Sequence, residues 1–214
     1  MTSFMKQLNN DMADMLVRAQ PALVRVASGR RGMGSGIIWG ANGLIVTNAH
    51  VVHRRGPSVI FADDAKLPAQ VLGIDRQNDL AALQVDASDL PAIEVGRSRE
   101  LRSGQVVVAL GFPWGITGAV TTGIVVATGE NLMGMPGGSR ELIAVSLQLR
   151  PGFSGGPLID DQGRVIGVNV MMAGPEIGLA IPAHVVEDFL SKVAAQHHQP
   201  APESEAMASP AVSV

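Results

Sequence analysis

Between residues 22 and 181 the chain is a succession of short, β-branched apolar runs separated by Gly, Asn, Asp and Pro, with no helical periodicity between them. The runs are 23–27, 36–39, 44–47, 59–62, 70–74, 80–85, 106–110, 119–127, 142–147, 157–159, 165–171 and 177–181. Parallel strands need long crossover connections, usually helices, and none is available here. About twelve strands at turn spacing therefore point to an all-β fold of antiparallel barrels or sandwiches. Asn42-Gly43 suits a two-residue type I′ hairpin turn, and 160–163 suits a longer one. With 25 Gly and 13 Pro the chain is rich in turns, and with five Phe, two Trp and no Tyr its core must be aliphatic.

Two helical patterns flank the strands. Met5, Leu8, Met12, Met15, Leu16 and Ala19 form one apolar stripe over residues 1–19, closed by Pro21. Such a stripe packs on its own domain or, alternatively, against another subunit. Pro182 opens a second helix, 182–195, with Val185, Val186, Phe189, Leu190 and Val193 on one face. The polar stretch 96–104 falls near the midpoint of the strands. The expected organisation is a helical segment 1–21, a first barrel 22–97, a linker 98–103, a second barrel 104–181, the helix 182–195 and a disordered tail 196–214 rich in Pro, Ala, Ser and Glu.

Composition removes several classes of function. A net charge of −3 without a basic patch argues against nucleic acid as a partner. The absence of cysteine excludes disulfides, thiolate metal sites and cysteine nucleophiles. Lys6, Asp11, Asp14 and Arg18 interrupt any signal-peptide core, and no apolar run is long enough to span a bilayer. These readings give the expectation of a cytoplasmic protein without a membrane partner.

The chemistry concentrates in three places. Ser154 lies in Pro151-Gly152-Phe153-Ser154-Gly155-Gly156-Pro157. A serine nucleophile needs an adjacent base and donors for the oxyanion its attack creates, and glycines beside it leave backbone N–H groups open to a substrate carbonyl. The same residues fit the nucleophile elbow of α/β-hydrolases, but an elbow needs a helix directly after the serine, whereas here a strand and a hairpin loop follow. Among five histidines, His197 and His198 fall in the polar tail, His184 at the start of the last helix suits a surface or capping role, and His53 borders Arg54-Arg55. His50 sits at a strand end between apolar neighbours, where it suits a core histidine or a catalytic base. Asp79 directly precedes Leu80-Ala81-Ala82-Leu83, which draws its carboxylate inward toward a partner such as an imidazole. Asp75, Asp86 and Asp63-Asp64 read as solvated surface charges.

Taken together, Gly34-Ser35-Gly36-Ile37-Ile38, Thr47-Asn48-Ala49-His50-Val51-Val52, Asn78-Asp79-Leu80-Ala81-Ala82-Leu83 and Gly152-Phe153-Ser154-Gly155-Gly156-Pro157-Leu158 resemble the HtrA/Deg branch of trypsin-like serine proteases. Ala109-Leu110-Gly111-Phe112-Pro113-Trp114-Gly115 and Gly178-Leu179-Ala180-Ile181-Pro182 match it too, so the resemblance covers roughly residues 20–190. It implies two packed six-stranded antiparallel barrels and a His50, Asp79, Ser154 triad in the cleft between them. It also implies an oxyanion loop of Gly152, Phe153 and Ser154, with the Gly152 and Ser154 N–H groups as donors. Substrates would be protein or peptide segments, with neither ATP nor any metal or other cofactor required. Family trimers form through N-terminal segments, which makes residues 1–19 the candidate contact of a homo-oligomer.

Two departures from the family pattern stand out. Phe153 occupies the position that is usually Asn in this branch, so activation by a new N-terminus pairing with an Asp there is excluded, and a less firmly set oxyanion loop is expected. Only 196–214 follow the last helix, too few residues for the PDZ domain common in the branch. By position relative to Ser154, Gln148 and Leu149 should line the primary pocket, with Val170 and Met171 opposite. No Asp lies at its base, which suits small or medium apolar P1 residues. A protease-fold module that binds peptides without turnover is the rival reading; a metal hydrolase lacks the His-Glu-x-x-His pattern.

Overall fold

The computed structural model describes residues 2–29, 32–52, 56–130, 132, 140–174 and 176–197. Arg30, Arg31, His53, Arg54, Arg55 and residues 198–214 of the tail expected to be disordered lie outside the described residues.

Strands β1 (Leu23–Ser28), β2 (Gly32–Gly40), β3 (Leu44–Asn48), β4 (Ser58–Ile60), β5 (Lys66–Asp75) and β6 (Leu80–Val85) close into one barrel in the order β1-β2-β3-β6-β5-β4. A second closed barrel contains β7 (Val106–Gly111), β8 (Ala119–Glu130), β9 (Glu141–Val145), β10 (Pro157–Ile159), β11 (Val165–Met172) and β12 (Gly178–Pro182), ordered β10-β11-β12-β9-β8-β7. Every named pairing is antiparallel. Closure leaves no long unpaired edge, which short strands in a Gly-rich chain would otherwise expose. Register shifts in β2, β5, β8 and β11 supply the bends that closure needs.

An aliphatic core joins the halves. One buried cluster runs from Val24, Ile37 and Leu83 in the first barrel to Leu110, Val168 and Ile181 in the second. A smaller cluster, including Val107, Ile143, Leu147, Leu149, Phe153 and Leu158, fills the other side of the second barrel. Helix α2 (Ala183–His197) packs on β5 and β6 of one barrel and on β11 and β12 of the other, with Val186, Phe189 and Val193 buried. Helix α1 (Thr2–Ala19) is covered only near its end: Met15 and Ala19 are buried, while Phe4, Met5 and Leu8 are exposed.

Several local expectations need correction. Asn42 does not take the positive φ that a type I′ turn requires; only Gly43 does, at 91°. The connection is a three-residue loop, 41–43, closed by Gly43 N–H donating to the Gly40 carbonyl at 3.1 Å. A side chain at Gly43 would strike the Val85 carbonyl. His184 is not a surface residue: it is buried, with Nδ1 2.8 Å from Ser98 Oγ and Nε2 3.0 Å from Glu141 Oε2. Ser98 Oγ also accepts the His184 N–H at 3.0 Å. These bonds tie the segment between the barrels to β9 and α2, in a place where an unpaired imidazole would be costly. His197 belongs to α2 rather than the tail and contacts the Leu72 carbonyl at 3.0 Å. The second expected hairpin is held by Asp160, whose Oδ1 accepts from Gln162 N–H and Arg164 N–H. Its Oδ2 accepts from the Arg164 guanidinium, and that hydrogen bond, with the carboxylate charge, holds Arg164 above its usual pKa.

Candidate active site

His50 and Asp79 are placed by the ends of neighbouring strands. β3 and β6 pair through Asn48↔Leu80, so the residues just past Asn48 and just before Leu80 meet at one rim of the first barrel. Beyond β3 the chain makes a 3-10 turn, Ala49–Val51, which buries Ala49 and Val51 and turns the His50 side chain outward. Asp79 takes a φ of 58°, a left-handed conformation that Asp tolerates better than most residues. Its Oδ2 lies 2.7 Å from His50 Nδ1 and its Oδ1 accepts the His50 N–H at 2.9 Å. Its carbonyl accepts from Ala49 N–H and from Asn48 Nδ2, each at 3.0 Å. One residue thus fixes both the ring and the backbone of His50. The Asp79 side chain is 14% exposed and the imidazole 48%, so the carboxylate is shielded while the ring is half open to solvent.

The turn before Asp79 is built by Asp75, a residue that sequence reasoning assigned to the surface. Its Oδ1 accepts from Gln77 N–H at 2.9 Å and Asn78 N–H at 3.0 Å, and its Oδ2 accepts from Asn78 Nδ2 at 2.7 Å. This is an Asx turn, and the spacing Asp75-x-x-Asn78 is the signal that could have revealed it.

Ser154 arrives from the second barrel. The segment 150–156 is tight: Phe153 N–H donates to the Arg150 carbonyl and Gly156 N–H to the Phe153 carbonyl, each at 3.0 Å. Gly152 has a φ of 109°, and a Cβ there would lie 2.5 Å from the Phe112 carbonyl oxygen, so no other residue fits. Among the described residues, nothing accepts the N–H of Gly152 or of Ser154. Phe153 is 3% exposed and packs in the smaller cluster of the second barrel, so apolar burial holds it.

The two barrels meet through this loop. Ser35 N–H donates to the Ser154 carbonyl at 2.8 Å, and Ser35 Oγ to the Gly152 carbonyl at 2.6 Å. Thr47 Oγ1 in turn donates to the Ser35 carbonyl at 2.7 Å. Gly155 packs directly on Thr47 and on the Asn48 nitrogen, two residues before His50. Ser35 and Thr47 are fully buried hydroxyls that sequence reasoning passed over; a serine between two glycines was the available cue for the first.

The structure therefore brings His50 and Asp79 into contact and sets the backbone beside Ser154 against β3, the strand that leads into the His50 turn. The Ser154 hydroxyl itself points elsewhere: Oγ donates to the Val170 carbonyl at 2.8 Å. That carbonyl is available because Val170 is the extra residue of the β11 bulge, between the pairs Asn169↔Ala180 and Met171↔Leu179. Of the expected pocket residues, Leu149 is buried, while Gln148 is exposed with its Oε1 accepting from Arg150 at 2.9 Å. Val170 is buried, and Met171 lies on β11 with its side chain outside the described set. Among the described residues no group of His, Asp and Glu is arranged to hold a metal ion, and no helix is long and apolar enough to cross a membrane.

Two six-stranded antiparallel barrels, with a histidine–aspartate pair on one and a Gly-flanked serine on the other, define the chymotrypsin-like fold. A family model for the trypsin-like peptidase domain matches residues 34–168, and the chain belongs to that family. Its relatives are of HtrA type. A putative serine protease HhoB of Synechocystis is 36% identical over 176 residues, covering 78% of this chain and 42% of that protein. Serine protease HTRA1B of Danio rerio is 34% identical over 196 residues, covering 86% and 41%. The chain thus spans about two fifths of the length of these relatives. Among solved structures, the HtrA-type protease AlgW with a tripeptide superposes with a TM-score of 0.80 at 33% identity, covering 86% of this chain and 64% of that one.

Proposed function

We propose that this chain is a serine endopeptidase unit that cleaves extended or unfolded protein segments without ATP, using His50, Asp79 and Ser154. The observation that carries the proposal is the 2.7 Å contact between His50 Nδ1 and Asp79 Oδ2, set at the seam where the Ser154 loop joins the first barrel. Asp79 holds the imidazole with Nδ1 protonated, which leaves Nε2 as the base. Ser154 Oγ bonds to the scissile carbonyl carbon as its proton passes to Nε2, and the oxyanion is received by the N–H groups of Gly152 and Ser154. The tetrahedral centre collapses with loss of the amine, which takes the proton from the imidazolium. Water then repeats the sequence on the ester and restores the serine.

The hydroxyl bonded to Val170 describes a resting arrangement. A substrate lying beside β11 as an added strand brings a backbone N–H to the Val170 carbonyl. The hydroxyl then loses that acceptor and is free to turn to His50. The P1 side chain falls between Gln148 and Leu149 on one side and Val170 and Met171 on the other, in surroundings that suit small or medium apolar groups. The same parked hydroxyl also favours a second reading, a protease-fold module that binds peptides and turns them over slowly or not at all.

Labelling by a fluorophosphonate and casein digestion separate the readings. A peptidase is labelled at Ser154, digests casein, loses both properties in Ser154→Ala and keeps them in chelator. A binding module is neither labelled nor digestive, yet retains an extended peptide.

A further inference from the structure

Asn48 is the last residue of β3, paired with Leu80 of β6, and it is fully buried. A buried amide ordinarily finds partners for both of its ends. Here Nδ2 donates to the Asp79 carbonyl at 3.0 Å, while among the described residues Oδ1 has no donor. An unmet buried acceptor destabilises a fold, and Leu has nearly the same shape without that burden. Turning the amide over would set Oδ1 against the Asp79 carbonyl oxygen and lose the one bond the side chain makes. What the position gains from being Asn is therefore its hold on Asp79.

That hold matters because of the backbone it meets. Asp79 has a φ of 58°, a left-handed conformation that is unfavourable for a residue with a side chain and persists only with support from its surroundings. Its carbonyl is caught by two donors, Ala49 N–H and Asn48 Nδ2, each at 3.0 Å. The first is backbone and is available to any sequence; the second requires this side chain. The same φ sets the direction of the Cα–Cβ bond, and so sends Oδ2 to His50 Nδ1 and Oδ1 to the His50 N–H. We propose that Asn48 is a positioning residue, whose amide locks Asp79 in the left-handed conformation that aims its carboxylate at His50. The inference rests on the peptidase reading, since only there does the aim of Asp79 govern a rate. In that reading Asn48 acts through Asp79 alone.

Asn48→Leu keeps the volume and removes the donor. It should lower kcat by about 10–100-fold, as a displacement of about 1 Å in a catalytic group does, with KM unchanged and a melting temperature near that of the wild type. The discriminating measurement is the rate of fluorophosphonate labelling of Ser154 in a double-mutant cycle with Asp79→Asn, where the carboxylate to be aimed is already gone. In that background Asn48→Leu should change the rate by less than about twofold. A merely structural role slows labelling by the same factor in both backgrounds, and that result overturns the inference. A folded Asn48→Leu that keeps the wild-type kcat and is still labelled at Ser154 overturns it too and leaves the peptidase reading standing. Absence of labelling and turnover in the wild type overturns both. If Asn48→Leu fails to fold, Asn48→Ala, which also removes the donor, must show the same loss, present with Asp79 and absent with Asp79→Asn, or the inference fails.

Discussion

Asp79 contributes more than a charge to its site. Its carboxylate takes the His50 ring and the His50 N–H, and its carbonyl takes two further donors from Ala49 and Asn48. Asp79→Asn keeps the shape but presents an amide donor or a weaker acceptor to Nδ1, which favours the wrong tautomer. The variant should fold with a melting temperature near that of the wild type while kcat falls by about 10³–10⁴. A loss of less than tenfold, measured on an apolar-P1 peptide, would show that the pair does not drive the chemistry. The same geometry fixes the direction of the pH dependence. Imidazolium cannot accept the Ser154 proton, so kcat/KM should decline toward acid pH, and a rate indifferent to acidification would contradict His50 as base.

The elements were legible in the sequence to different degrees, for physical reasons. Runs such as β6 and β10 were read with their observed ends because they are buried and bounded by turn residues on both sides. The ends of β5 and β8 were not: the exposed halves of these long strands, around Lys66 and Gly129, carry residues that periodicity counts as loop. The three candidate residues were singled out because Ser, His and Asp stand out among apolar neighbours. What stayed hidden were contacts set by tertiary placement: Ser35 on Gly152, Met172 on Leu149 and His184 between Ser98 and Glu141. Phe153 shows the difficulty most clearly, since its burial in the smaller cluster of the second barrel could not be read from its neighbours in the sequence. Phe153→Ala should therefore lower unfolding free energy by about 3–5 kcal/mol, as other buried Phe truncations do. It should also slow fluorophosphonate labelling, because Gly152 and Ser154 flank Phe153. Denaturant unfolding midpoints that do not move would mean that the loop is held by its hydrogen bonds alone.

At the scale of the whole molecule, α1 is the part the two barrels do not account for. Its last turns are buried through Met15 and Ala19, yet Phe4 is 70%, Met5 63% and Leu8 42% exposed. Between the helix and the second barrel lies a cleft of about 1060 Å³ lined by Leu8, Met12, Leu101 and Val106 among charged groups. A helix half without tertiary cover is marginal in water, because helices are stabilised mainly by burying one face. Burying a large apolar side chain stabilises by about 1.5–3 kcal/mol, so three such residues give a second copy of the chain enough reason to cover them. We infer that α1 is a contact of a closed homo-oligomer, a trimer if it follows the family resemblance. Sedimentation of the wild type should show a concentration-dependent assembly. Phe4→Asp combined with Leu8→Asp should leave a monomer whose Ser154 is labelled at the wild-type rate, since the proposed triad draws every residue from one chain. A wild type that stays monomeric at all concentrations would remove the oligomer. A monomeric variant whose labelling collapses would instead mean that the N-terminal helix acts on the site through its own barrels.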